Sequence, residues 1–191
     1  MLREADHGTL IAVVGPSCAG KDTLIDYARQ RFGGDPSVLF VRRVVTRIAQ
    51  AEDHDTLSVE TFTEATASGE FAVTWEAHGL HYAIPVGACR HVAGGGVAIV
   101  NGSRAALPAI RAAFARVLVV HVTCRPDVLA ARLAARGRED AQGQGSRLAR
   151  ATMPVEALKD AIEIDNSGEI APAGAAFAAV IRRAIAAYAL P

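Results

Sequence analysis

Gly15-Pro16-Ser17-Cys18-Ala19-Gly20-Lys21-Asp22-Thr23 is the stretch whose residue types and spacing are best suited to chemistry. Glycines at 15 and 20 admit backbone conformations closed to residues with a Cβ, so successive N–H groups can converge on one anion. The apolar run Thr9 to Val14 precedes the turn, and helical spacing of apolar residues begins near Lys21. The turn therefore leads from a strand into a helix N-terminus, whose unsatisfied donors and dipole favour a phosphate. Lys21 adds a full charge where β- and γ-phosphates would lie, so a nucleoside triphosphate is the expected guest of residues 15–23. The residue after the lysine is Asp22, where a metal-touching Ser or Thr is usual, and the hydroxyl is displaced to Thr23. A carboxylate is a good ligand for a hard cation, which makes Asp22 the candidate Mg²⁺ ligand, directly or through water. The alternative, a strand-to-helix turn that binds nothing, is disfavoured by the correct flanks.

Arginines supply the second chemical signal. Arg42 and Arg43, followed by Thr46 and Arg47, lie at the end of an apolar segment, where ligands of open α/β sheets bind. Adjacent strand residues point to opposite faces, so only one of Arg42 and Arg43 can face the phosphates. Arg132, Arg136, Arg138, Arg147 and Arg150 surround the breaker-rich stretch 137–145, the composition of a lid that brings guanidinium groups over a transferring phosphoryl group. A salt-bridged exposed helix pair is the competing reading. Glu52, Asp53, His54 and Asp55 lack a second histidine at ligand spacing, so they read as a loop touching substrate through one carboxylate. Asn101 and Ser103 stand where a strand-end carboxylate would normally lie, and Ser103 doubles as a helix N-cap.

These residues need a scaffold. With 191 residues, 51% hydrophobic and 5% aromatic, the chain has material for one well-filled domain over 1–191. Short apolar strands are expected at Thr9–Val14, Val38–Val45, Val97–Val100, Val117–Val122 and Ala161–Ile164. Helices are expected near Lys21–Phe32, Ser58–Ser68, Val86–Ala93, Ala105–Ala115, Pro126–Arg136 and Pro172–Leu190. The alternation predicts a three-layer α/β/α fold with a parallel sheet. Phe71–Trp75 and Leu80–Ile84 form a hairpin too small for a core of its own, the pattern of a substrate-binding flap within about 46–85, with the lid at about 136–147. Twenty basic and twenty acidic residues cancel, so no overall field recruits nucleic acid or an anionic membrane. Cys18, Cys89 and Cys124 are widely spaced and form neither a disulfide framework nor a zinc site, which points to the cytoplasm; no signal peptide or membrane span is legible.

The order Gly-Pro-Ser-x-Ala-Gly-Lys, Thr46-Arg47, Tyr82, Arg136-Gly137-Arg138 and Arg147 resembles the guanylate-kinase-like branch of the nucleoside monophosphate kinases from Thr9 to Ala187. Glu76 falls where that branch binds guanine, but Ile84 replaces its hydroxyl-bearing partner. A nearer resemblance is to the ribose 1,5-bisphosphate phosphokinase family of phosphonate catabolism. It rests on Lys21-Asp22, Ala77-His78-Gly79-Leu80 with Tyr82 and Pro85, Asn101-Gly102-Ser103-Arg104, Arg136-Gly137-Arg138-Glu139 and Asp165-Asn166-Ser167-Gly168. The resemblance implies ATP and Mg²⁺ as cofactors and ribose 1,5-bisphosphate as acceptor, with 5-phosphoribosyl 1-diphosphate as product. Lys21, Arg136 and Arg147 would act at the transfer point. Residues 15–23 with Arg132 and Asn166 would hold ATP. Arg43, Arg47, Glu52, Glu76, His78, Tyr82, Asn101, Ser103 and Arg104 would hold the sugar. An acceptor phosphate is already ionised at neutral pH, so the lack of a carboxylate–histidine base fits this chemistry. The alternatives are a guanylate kinase with an altered base site and a non-catalytic scaffold of the same fold; homodimer formation is left open.

Overall fold

A computed structural model describes residues 8–46, 54–77, 79–135 and 158–187. At its centre is β1 (Thr9–Val14), all six residues buried. Its β-branched, continuously apolar sequence suits a strand covered on both faces. Ile11 and Val13 join the core beneath α1 (Lys21–Phe32) and the closing helix, whereas Leu10, Ala12 and Val14 join the core on the other face. Parallel neighbours flank β1, giving the order β2-β7-β1-β8-β9. Here β2 is Val38–Phe40, β7 Val97–Asn101, β8 Val117–Thr123 and β9 Ile162–Asp165.

Numbering the described helices in chain order, α2 is Val59–Ala67, α3 Val86–Ala93, α4 Leu107–Ala113, α5 Pro126–Ala135 and α6 Ile170–Ala186. Helices α1 and α6 lie together on one face of the sheet, and α3 and α4 on the other. Gly174 permits the close approach of α6 to α1, since a Cβ there would lie 2.3 Å from the Tyr27 ring. This is the expected three-layer α/β/α arrangement with a parallel sheet.

A second sheet holds β4 (His54–Thr56), β3 (Arg43–Val45), β6 (Leu80–Pro85) and β5 (Phe71–Ala77), in the order β4-β3-β6-β5. Two expectations about this sheet are corrected. The strand predicted over Val38–Val45 is two strands in two sheets. Val41 is buried and still donates its N–H to Ile99 in β7 at 2.8 Å, but Arg42 turns out to an exposed ion pair with Asp55 at 3.0 Å, and the chain then enters the second sheet. A charged side chain next to the core forces that departure. The segment predicted as loop around Glu52–Asp55 contributes a strand at His54–Thr56, paired in parallel with β3. An edge strand can be polar because its partner supplies main-chain hydrogen bonds whatever the side chains. Ser58 caps α2, its hydroxyl accepting from the Thr61 N–H at 3.1 Å, and Gly69 follows the helix at φ 76°. The helix predicted over Ala105–Ala115 is a 3₁₀ turn, Arg104–Ala106, running into the shorter α4, while α6 starts two residues early and is described to Ala186, positions 188–190 of the expected helix lying outside the described residues.

Candidate phosphate and substrate site

The turn between β1 and α1 has its glycines where backbone conformation demands them. Gly20 stands at φ 87°, in the left-handed region. A Cβ there would lie 2.2 Å from Asn166 Nδ2, and one on Gly15 would lie 2.3 Å from the Val122 carbonyl oxygen. Cys18 also has positive φ, 63°, the only non-glycine residue to do so among those described. A residue with a Cβ is strained there by about 1–2 kcal/mol, which is why a glycine would be the usual occupant.

Lys21 folds back across the turn and donates to the Gly15 and Pro16 carbonyls at 2.9 and 2.8 Å. Its side chain as a whole is half-buried, but the ammonium is closely enclosed. Loss of water is the leading reason its pKa falls to about 8; Asp22 opposes the fall, and Arg43 and Arg104 contribute to it. Arg43 and Arg104 are near enough to act on Lys21 electrostatically, in a chain with no net charge. An anion with several charges is the natural counterpart.

The turn is clasped from behind. Asn166, only 3% exposed, donates to the Ala19 carbonyl at 2.8 Å, and Arg132 reaches the same oxygen at 3.4 Å. Arg132 also contacts Cys124 Sγ at 3.5 Å, and the Asn166 N–H bonds to Thr123 at 2.9 Å. Both side chains expected near ATP therefore touch the turn's backbone, where they set its shape. Asp22 and Thr23 lie exposed on the first turn of α1, and Asn101 donates to Asp22 at 2.5 Å. The Asp22 carboxylate is a hard oxygen donor beside the phosphate-binding turn, so the residues present fit a Mg²⁺ ion. Pro16 and Ala19 are buried, and Ser17 is half-buried.

On the second sheet, Arg43 lies over the Tyr82 ring with 5.7 Å to its centroid, and Tyr82 stacks on Trp75 at 5.4 Å and 11°. Trp75 also packs against the core beneath β1, anchoring this stack to the main sheet. Thr46 holds the exit of β3 to β6: its hydroxyl accepts from His81 at 2.9 Å and its N–H donates to the His81 carbonyl at 3.0 Å. Glu76 is exposed, paired in register with His81. Ser103 accepts from the Ala105 N–H at 3.3 Å as the cap of the 3₁₀ turn, and burial lowers the Arg104 pKa. Arg47, Glu52, His78, Arg136 and Arg147 lie outside the described residues, as does the lid at about 136–147.

Two residues were missed by sequence reasoning. Trp75 orders the Tyr82–Arg43 stack, and its signal was being the chain's single tryptophan. His121, on β8 beside Val14 and Glu163, has its Nε2 buried without a hydrogen-bond partner among the described residues. Burial is the main cause of its lowered pKa, with Glu163 opposing and Arg104 and Lys21 adding to the fall. The signal was a lone imidazole inside the run Val117–Thr123.

A family model described as an AAA domain matches residues 11–152. The chain is 47% identical over 176 residues to ribose 1,5-bisphosphate phosphokinase PhnN of Agrobacterium fabrum, covering 91% of this chain and 96% of that one. It is 44% identical over 179 residues to the Brucella melitensis protein of the same name, covering 93% of each. Among solved structures it is similar to a guanylate kinase from Anaplasma phagocytophilum, with TM-score 0.62, 16% identity, and 93% of this chain and 86% of that one covered. An unliganded sugar kinase from a Janibacter species aligns with TM-score 0.55 and 17% identity, over 96% of this chain and 99% of that one. At these identities the two structures speak for the fold alone.

Proposed function

The chain belongs to the ribose 1,5-bisphosphate phosphokinase family, and from that premise we propose that it transfers the γ-phosphoryl group of ATP to ribose 1,5-bisphosphate, as in phosphonate catabolism. An oxygen of the anomeric phosphate bonds to the γ-phosphorus while the bond from that phosphorus to the β–γ bridging oxygen breaks. The products are 5-phosphoribosyl 1-diphosphate and ADP, whose bridging oxygen keeps the electron pair.

The observation that carries this reading is Lys21 folded across the glycine-bearing turn between β1 and α1, its ammonium on the Gly15 and Pro16 carbonyls at 2.9 and 2.8 Å. The main-chain N–H groups of the turn, Pro16 having none, hold the triphosphate, and Lys21 exchanges its two carbonyl partners for β- and γ-oxygens. Mg²⁺, when bound, neutralises charge between those phosphates. Asp22 is the residue that would hold it. Arg43, set by its contact with Tyr82, and Arg104 take the acceptor's phosphates, while Ser103 and Glu76 are read as contacts to the sugar. The second sheet is read as the substrate flap, and Arg47, Glu52 and His78 are read as further contacts to the sugar. Arg136 and Arg147 are read as lid groups at the transfer point. Positioning and charge neutralisation are enough, because the acceptor needs no deprotonation.

An ADP-release assay with GMP and ribose 1,5-bisphosphate offered in parallel is the test. Turnover with the bisphosphate and none above background with GMP is expected. Turnover with GMP alone would overturn the reading in favour of a guanylate kinase, the enzyme class of the structural neighbour.

A further inference from the structure

Asp22 and Asn101 are 79 residues apart in sequence and meet at the mouth of the phosphate turn, Asn101 Nδ2 donating to Asp22 Oδ1 at 2.5 Å. Charge decides the amide's orientation, since the flipped form would set its carbonyl oxygen against a carboxylate. Asn101 ends β7 in register with Val13 of β1, two residues before Gly15, so its backbone is fixed relative to the turn. Its Oδ1 is buried and has no partner among the described residues. An apolar residue would avoid that unsatisfied oxygen, so the amide carries a cost that its Nδ2 bond to Asp22 must offset. Asp22 is exposed and engages only Oδ1 among the described residues, which leaves Oδ2 for a cation.

In P-loop phosphotransferases Mg²⁺ is ordinarily held by a hydroxyl on the helix and a carboxylate from a strand. Here the helix position carries the carboxylate and the strand end carries the amide. Each scheme supplies one negative charge to the ion. We propose that Asn101 and Asp22 are a transposed pair: the metal-binding charge sits on α1, and Asn101 is the positioning residue that aims it at the nucleotide. This assigns Asn101 to the metal side of the site in place of the sugar. It also explains why Asp22 stands where a hydroxyl is usual. The proposal rests on the nucleotide-binding reading above.

The readout is the ratio of dissociation constants for a fluorescent, non-hydrolysable ATP analogue in EDTA and in Mg²⁺. A merely structural role would weaken binding equally in both buffers and leave the ratio alone. Asp22→Asn, which is isosteric and keeps an acceptor for Asn101, is expected to abolish most of the Mg²⁺ enhancement. Asn101→Ala should shrink it by about 10- to 100-fold, the usual effect of losing an outer-shell partner. The double variant Asp22→Ser with Asn101→Asp restores the ordinary arrangement and should recover most of the enhancement lost in Asp22→Ser alone. Melting curves confirm that each variant is folded. An unchanged ratio in Asn101→Ala, or no recovery in the folded double variant, overturns the pairing. If the unmodified protein binds the analogue in neither buffer, the nucleotide reading itself fails, and the pairing with it.

Discussion

Raising the pH from 7 to 9 is expected to weaken nucleotide binding about tenfold. Lys21 titrates near 8 because its ammonium is enclosed by protein and shares its region with Arg43 and Arg104. Phosphate oxygens against it favour the charged form, so in the complex the lysine holds its proton throughout this range. Only the free protein loses the proton as pH rises. With a pKa of about 8, roughly nine-tenths of free molecules carry the charge at pH 7 and roughly one-tenth at pH 9, and the ratio of those populations gives the tenfold change. The phosphates themselves titrate near pH 6 and contribute little over the same range. Calorimetric titration of an ATP analogue at pH 7, 8 and 9, in buffers of different ionisation enthalpy, measures both the affinity and the proton uptake. Uptake should approach one proton per nucleotide above pH 8 and vanish in Lys21→Met. The sign for folding follows from the same group. Its folded pKa lies below the unfolded 10.5, so the unfolded chain binds more protons between about pH 8 and 10.5, and this lysine's destabilising contribution is relieved as pH rises through that window. Flat affinity from pH 7 to 9 with no proton uptake would refute the argument that an enclosed Lys21 meets the phosphates.

Replacing Asn166 by Ala removes the buried donor to the Ala19 carbonyl and is expected to cost about 1–3 kcal/mol by chemical denaturation. Nucleotide affinity should fall with it, because that carbonyl belongs to the turn that must hold its shape. At Cys18, Gly should leave stability within about 1 kcal/mol, since relief of the left-handed strain offsets the extra freedom glycine brings to the unfolded chain. Cys18→Val should be clearly less stable than either, because a β-branched residue tolerates positive φ worst; a valine variant melting with the parent would contradict the assigned backbone.

Residues close together in the chain were the readable ones. A strand, a glycine turn, a lysine and a helix start occupy Thr9–Phe32, so their relation is fixed by local geometry and the phosphate site could be inferred before any contact was known. The main-sheet strands were legible for a similar reason: runs such as Val97–Val100 are apolar at every position, which only a strand covered on both faces requires. The break at Val41–Arg42 was not legible, because Val38–Val45 is continuous in strand propensity and the choice of sheet depends on partners supplied from Ile99 and Tyr82. Adjacent arginines carried the information that they must diverge, but not that Arg42 would pair with Asp55 while Arg43 lay over Tyr82.

The sequence by itself determined the α/β class, the position of the phosphate turn and the identity of its lysine, all consequences of period, composition and short-range conformational limits. Tertiary structure alone decided how Asn101 meets Asp22, how Asn166 and Arg132 converge on Ala19, and that half-buried His121 encloses its Nε2. Those relations join side chains separated by scores of residues. Hydrogen bonds act over about 3 Å, so they exist only once the sheet has set its strands side by side.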